Sequence, residues 1–178
     1  MKKILVIGSL NLDHTIDLKS IPRPGETVSG RSIAKIPGGK GANQAYAAGK
    51  LGGNVSMIGC VGKDDAGKKL TENLSSVGVD ISGITEIENV PSGQAYIALE
   101  DTGENSIIII PGTNEYMTQA LIDKNLSLIE KCDYILMQFE IPLSTVRYVK
   151  QLAHSMGKTV IIDPAPAVSD IEDDFWKV

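Results

Sequence analysis

The sequence predicts an α/β fold in which a mostly parallel sheet carries helices on its faces. Four short, nearly continuous apolar runs are typical of strands that are buried on both sides. Stretches with helical periodicity separate these runs, and strands that alternate with helices of this length form parallel sheets. The strand-like runs cover residues 3–9, 55–60, 134–138 and 159–163, and the helical stretches cover residues 41–51, 66–77, 118–129 and 143–156.

Residues at the ends of the helical stretches support these boundaries. Gly78 and Gly157 each follow one stretch, where a glycine commonly ends a helix in the left-handed conformation. Asp64 precedes the stretch 66–77 and is predicted to cap its N-terminus, because a carboxylate there accepts a backbone N–H. Two of the helices are therefore delimited by signals that are independent of the apolar periodicity.

Two parts of the chain interrupt the alternation and predict a second, smaller sheet. Residues 14–36 hold short extended segments separated by prolines and a glycine, and residues 84–110 hold three strand-like runs. Those runs are 84–88, 94–99 and 106–110. Residues 101–104, Asp-Thr-Gly-Glu, are typical of a hairpin turn. We expect the inserted strands to form a lid or a contact between two subunits.

Composition excludes several classes of protein. Of the 178 residues, 42% are hydrophobic and 22% charged, which suffices for a core and excludes an intrinsically disordered chain. The net charge is −5 without a basic block, so we expect neither nucleic acid nor an anionic membrane as partner. The spacing of Cys60 and Cys132 matches no metal motif or disulfide framework. We expect two reduced thiols in a cytoplasmic protein.

A glycine-rich segment, residues 37–44, leads directly into an alanine-rich helical stretch. Its glycines allow the backbone to approach a ligand closely, and the helix N-terminus offers unpaired N–H groups and a partial positive charge. Lys40 and Asn43 add a charge and an amide suited to hydroxyl groups. Because Gly41 follows Lys40, the segment is not a Walker A loop. A glycine turn without function is the alternative.

Polar side chains follow two of the apolar runs. Asn11 and Asp13, two residues apart in an extended segment, are expected to point to the same side at the carboxyl end of the first strand. An amide and a carboxylate together suit the hydroxyl groups of a sugar, although an Asx turn explains them equally well. Glu140 follows the run 134–138 and either accepts hydrogen bonds from a polyol or caps the helix that begins near Leu143.

Other candidates are weaker. His14 and His154 have no nucleophile near them in a recognisable pattern, and we expect structural roles for both. Asp163, which precedes Pro164, either lines the site or forms a turn. The sequence contains neither a Ser-His-Asp order nor a metal-binding spacing, so no metal-ligating residue is predicted.

Five segments in order along the chain resemble the ribokinase branch of the ribokinase-like (PfkB) carbohydrate kinases. They are GSLNLD at 8–13, PGET at 24–27, GGKGANQA at 38–45, QFE at 138–140 and DPAP at 163–166. The resemblance implies a three-layer α/β sandwich with a small β-sheet lid. It also implies phosphoryl transfer from ATP to a sugar, D-ribose to D-ribose 5-phosphate, with Mg²⁺ and a monovalent cation such as K⁺.

The same resemblance implies a set of sugar-binding residues. By position these are Asn11, Asp13, Gly39, Lys40, Gly41, Asn43 and Glu140. The lid is expected to cover the sugar and, in this branch of the family, to pair two subunits as a homodimer.

One family motif is absent from the sequence. The family's Gly-x-Gly-Asp block, which supplies an aspartate base and donors for the transferred phosphate, does not occur in residues 1–178. We therefore expect residues 1–178 to be the N-terminal portion of a kinase domain, without a catalytic residue and inactive alone. The alternatives are a non-catalytic sugar-binding fragment, a poorly folded remnant, or another sugar kinase of the family such as a fructokinase or nucleoside kinase.

Overall fold

The computed structural model describes residues 2–169 and 171–176. The strands form two sheets. The main sheet is parallel throughout, with strand order β5-β4-β1-β8-β9, and the second sheet has the order β3-β2-β6-β7. The strands are β1 (Lys3–Ile7), β2 (Asn11–Leu18), β3 (Ser32–Gly38), β4 (Asn54–Gly62), β5 (Asp80–Ile87), β6 (Gly93–Glu100), β7 (Asn105–Ile110), β8 (Tyr134–Met137) and β9 (Thr159–Ile162).

Helices cover both faces of the main sheet and produce three layers. They are α1 (Lys40–Lys50), α2 (Asp65–Ser75), α3 (Gln119–Lys124), α4 (Leu126–Lys131) and α5 (Leu143–Ser155), with 3₁₀ helices at Gly112–Tyr116 and Asp173–Trp176. Side chains alternate along β1: Leu5 and Ile7 enter the core under α3, α4 and α5, whereas Val6 enters the core under α1 and α2. This alternation confirms the three-layer α/β fold.

The second sheet contains the two inserted regions, with one correction. β6 and β7 form the predicted antiparallel hairpin, and β2 pairs with both β3 and β6. The run 84–88, which we expected in this sheet, lies instead in β5 at the edge of the main sheet, parallel to β4. The reason is packing, because Val79, Ile81 and Ile84 join the core beneath α1 and α2.

Two further boundaries differ from the prediction. β1 ends at Ile7, and Asn11 already belongs to β2, so the second sheet begins three residues earlier than expected. The helical stretch 118–129 is two helices. Its interruption is Asn125, whose side-chain amide donates to the Leu121 carbonyl at 3.0 Å and competes with the helical backbone.

The predicted helix ends are confirmed. Gly78 and Gly157 have φ of 77° and 66°, and the Asp64 carboxylate accepts the Gly67 N–H at 2.7 Å. Within the described part of the chain, none of these helices is both long and apolar enough to cross a membrane.

Candidate functional site

A cleft of about 310 Å³ lies where the carboxyl ends of the central strands of the main sheet meet the second sheet. Its polar lining contains six of the seven predicted site residues: Asn11, Asp13, Gly39, Lys40, Asn43 and Glu140. Gly41, the seventh, is buried behind the cleft, where a Cβ would meet the Ser9 nitrogen at 2.6 Å. The structure thus brings together side chains from three distant parts of the sequence.

β2 carries Asn11 and Asp13 on one face of the second sheet. Both residues are extended within the strand, so the Asx-turn interpretation is wrong. Gly38 on β3 makes room for the carboxylate, because a Cβ there would lie 2.1 Å from Asp13 Oδ2. Burial, reinforced by the nearby charge of Glu140, raises the pKa of Asp13 above its ordinary value.

The glycine-rich segment holds its backbone against β2. Gly39 has φ of 90°, and a Cβ there would meet the Asn11 nitrogen at 2.7 Å, so both conformation and space require glycine. We expected the first N–H groups of α1 to be open to a ligand, but they already donate to partners within the chain. The Lys40 N–H donates to Glu140 Oε2 at 3.1 Å and the Gly41 N–H donates to Ser9 Oγ at 3.3 Å.

Glu140 occupies the centre of this arrangement. Its Oε2 accepts hydrogen bonds from Ser9 Oγ at 2.6 Å, from the Lys40 N–H at 3.1 Å and from Asn11 Nδ2 at 3.4 Å. The alternative, that Glu140 caps α5, is wrong because Pro142 occupies that position without a side-chain cap. Glu140 caps α1 instead, and a carboxylate at a helix N-terminus is electrostatically favourable.

The apolar lining that the second sheet contributes to the cleft lies on β6 and β7, beside Asp13 on β2. It consists of Ala95, Ile97, Ile107 and Ile109. Sequence reasoning did not assign these residues to the site, although the strand period of two separates Ile107 and Ile109 from Ile108 and could have suggested it. Carboxylates and amides beside aliphatic groups suit a ligand with hydroxyl groups and C–H surface.

A second cavity of about 580 Å³ adjoins the first and shares Asn11, Ile109 and Glu140 with it. Asn114, from the 3₁₀ helix Gly112–Tyr116, lines this cavity and was missed by the sequence analysis. Ser9, also missed, is completely buried and joins α1 to Glu140. Neither position carries a local signal, because each acts through partners that are distant in the sequence.

The weaker candidates lie outside the cleft. His14 is buried and stacks on Tyr96 with ring centroids 4.7 Å apart, and exposed Asp163 lines neither cavity. Cys60 and Cys132 are buried free thiols, and burial raises the pKa of Cys60 to about 12. Within residues 2–169 and 171–176 no cluster of three or more His, Cys, Asp or Glu could hold a metal ion.

Comparison with known proteins relates the whole arrangement to one family. The family model for "pfkB family carbohydrate kinase" matches residues 1–174. The chain is 42% identical over 167 residues to the ribokinase of Bacillus subtilis, and 37% identical over 166 residues to that of Haemophilus influenzae. These matches cover 94% and 93% of this chain but 57% and 54% of the relatives. The chain therefore spans about half the length of these relatives.

Comparison with solved structures agrees with this family assignment. Ribokinase of Arabidopsis thaliana, in a structure complexed with ribose and ATP, has a TM-score of 0.82 and 33% identity to this chain. The match covers 93% of this chain and 54% of that one.

Proposed function

The chain belongs to the pfkB family of carbohydrate kinases, and from this premise we propose that its cleft binds D-ribose for phosphorylation by ATP to D-ribose 5-phosphate. The observation that carries the proposal is the convergence of Asn11, Asp13 and Glu140 on one cleft, next to aliphatic side chains of the second sheet. The relatives named ribokinase and the relative complexed with ribose and ATP support the same substrates.

The chemistry of the cleft fits a sugar. The carboxylate of Asp13 accepts hydrogen bonds from hydroxyl groups, and the amide of Asn11 both donates and accepts. Lys40 adds a positive charge at the rim, and Ile107 and Ile109 offer a surface for the C–H groups of the ring. The residues of this chain therefore bind and orient the sugar and shield it from water.

Phosphoryl transfer requires a base in addition to the sugar site. The oxygen of the ribose 5-hydroxyl attacks the γ-phosphorus of ATP, the bond from that phosphorus to the β–γ bridging oxygen breaks, and ADP leaves. A carboxylate base accepts the hydroxyl proton. The Gly-x-Gly-Asp block that the family resemblance names as its source does not occur in residues 1–178, so no residue is assigned this role. ATP requires Mg²⁺, and we propose K⁺ as activator. The described residues show no metal cluster, so none is assigned to either ion.

We also propose that two copies pair through the second sheet in the cytoplasm. Ile108 and Ile110 on β7 and Ile33 on β3 are exposed by 66%, 45% and 57%, an amount of apolar surface that suits a protein contact. Ile108→Asp is expected to shift the chain to monomer in sedimentation velocity, whereas Thr102→Asp at the hairpin tip leaves the dimer intact. A wild-type monomer at all concentrations contradicts this part of the proposal.

Calorimetric titration of the chain with ribose, fructose and 2-deoxyribose tests the proposed substrate. We expect ribose to bind most tightly and Asp13→Asn to weaken it. Tighter binding of fructose favours the fructokinase alternative, and a cooperatively folded chain that binds no sugar overturns the proposal.

A measurement of ADP released from ATP, with ribose, Mg²⁺ and K⁺ present, tests whether residues 1–178 lack the base. We expect no ribose-dependent ADP from this chain alone. Turnover shows that a base within residues 1–178 suffices, whereas binding without turnover is consistent with a sugar-binding half of the kinase.

A further inference from the structure

The side chain of Asn114 is a buried polar group next to the cleft that the proposed function does not use. Asn114 is 1% exposed and contacts the turn between β1 and β2. Its Oδ1 accepts the Leu10 N–H at 3.0 Å, and its Nδ2 donates to the Leu10 carbonyl at 3.3 Å and to Asn11 Oδ1 at 2.7 Å.

These contacts determine which way round the Asn114 amide lies. The Leu10 N–H can only donate and the Leu10 carbonyl can only accept, so Oδ1 must face the former and Nδ2 the latter. Reversing the amide would place a donor against a donor and an acceptor against an acceptor. In a buried position such unsatisfied groups are costly.

The orientation of Asn114 in turn determines that of Asn11. Because Asn114 Nδ2 donates to Asn11 Oδ1, the Asn11 oxygen is turned away from the carboxylate of Glu140. Asn11 Nδ2 is thereby directed to Glu140 Oε2, 3.4 Å away at the wall shared by both cavities. A reversed Asn11 would bring its oxygen against the Glu140 oxygen, which is repulsive.

The two amides fit beside the backbone of β6 only because residue 93 is glycine. Gly93 on β6 lies opposite Asn11 in the register of the second sheet. A Cβ at this position would lie 2.2 Å from Asn11 Oδ1 and 2.2 Å from Asn114 Nδ2. An alanine therefore cannot coexist with the hydrogen bond between the two amides.

We propose that Asn114 is a positioning residue that holds the Asn11 amide with its N–H groups toward the cleft. The cleft then presents Asn11 as a neutral donor beside two acceptors, Asp13 and Glu140. A ligand oxygen at Asn11 must accept a hydrogen bond, and a hydroxyl can do so while donating to a neighbouring carboxylate. The consequence for sugar binding rests on the proposed function, whereas the orientation of Asn11 does not.

The orientation is tested without ligand by hydrogen exchange of the Asn11 side-chain amide, followed by NMR and assigned with Asn11→Asp. Asn114→Ala and Gly93→Ala are each expected to speed this exchange about fivefold, because loss of a buried hydrogen bond is worth on the order of 1 kcal/mol and about 1.4 kcal/mol corresponds to tenfold. Asn125→Ala removes a comparable amide bond far from the cleft and should leave the exchange unchanged. Unchanged exchange in both folded variants overturns the inference.

The consequence for the ligand is tested by ribose titration of the single and double variants. Asn114→Ala should weaken ribose about tenfold, and Asn11→Ala combined with Asn114→Ala should be no weaker than Asn11→Ala alone, because Asn114 acts through Asn11. Additive losses contradict the positioning role. If the unaltered chain binds no ribose, the proposed function fails and the exchange experiment alone decides the inference.

Discussion

Glu140 accepts the backbone N–H of Lys40 at 3.1 Å, so a residue after β8 caps a helix that begins 100 positions earlier in the chain. The same carboxylate oxygen binds Ser9 Oγ at 2.6 Å. Three segments that the family resemblance marks as functional are thus joined at one oxygen atom. The site is consequently also a structural junction, and changes there affect both binding and stability.

Glu140→Gln separates the charge of this junction from its shape. We expect the free energy of unfolding to fall by about 1–2 kcal/mol, because hydrogen bonds to a charged acceptor exceed those to a neutral one by roughly this amount. Ribose affinity should fall as well. Glu130→Gln, at an exposed position of α4, is the matched control for urea unfolding and calorimetry. If Glu130→Gln lowers the free energy of unfolding and the ribose affinity as much as Glu140→Gln does, the structural role of Glu140 is contradicted.

Asp13→Asn should weaken sugar binding and stabilise the fold at neutral pH. Ribose binding is expected to weaken by about 1.5–3 kcal/mol, the worth of a hydrogen bond to a charged group. Asp17→Asn, on the same strand but paired with Arg31 at the surface, should leave affinity unchanged. An undiminished affinity for ribose removes Asp13 from the site.

The pH dependence of Asp13 has a definite sign. Because burial and Glu140 raise its pKa in the folded state above the unfolded value of 3.8, its stabilising contribution is fully present below pH 3.8 and is lost as pH rises through the folded pKa. At neutral pH, Asp13→Asn should therefore raise the free energy of unfolding. Urea titrations of both proteins between pH 3 and pH 7 measure the difference, and a destabilised Asn variant at pH 7 contradicts the sign.

Gly38→Ala should damage the site by displacing one carboxylate. The added Cβ would lie 2.1 Å from Asp13 Oδ2, so Asp13 must rotate away from the cleft. Ribose affinity should fall about as far as in Asp13→Asn. In Gly30→Ala, the matched control, the atom nearest the added Cβ is an Ile16 methyl carbon at 3.2 Å. Calorimetry should find near-wild-type affinity there, and a Gly38→Ala protein with the same affinity as this control refutes the displacement.

Asp64 stabilises the fold with the opposite pH dependence. Burial opposes its charge, but hydrogen bonds from the backbone N–H groups of Ser92 and Gly67 and from the Ser92 hydroxyl hold its pKa below the usual value. Asp64→Ala should cost about 1 kcal/mol, as for other N-caps.

This stabilisation is present above the unfolded pKa of 3.8 and lost as pH falls through the lower folded value. The difference between wild type and Asp64→Ala should therefore shrink below about pH 4. Asp65→Ala, at the exposed next position, is the control for thermal and urea melts. A difference that persists undiminished at pH 2 is evidence against the carboxylate's role.

The apolar periodicity predicted the layered fold, because each strand of the main sheet and each helix that covers it must bury a specific set of side chains. It also located the glycine segment and the carboxylate and amide residues, since these lie where buried strands or their connections end. It misplaced β5, because a strand-like run of five residues is compatible with either sheet. Only packing beneath α1 and α2 assigns it to the main sheet.

The sequence by itself determined which residue types are available for the candidate site and in which segments they lie. Only the tertiary structure decided that Glu140 caps α1 rather than α5, and that Asn114 orients Asn11. The physical reason is that periodicity reports contacts with the core, whereas these hydrogen bonds join atoms about 100 residues apart. Such partners are chosen by the geometry of the packed sheets, and nothing in the local sequence encodes them.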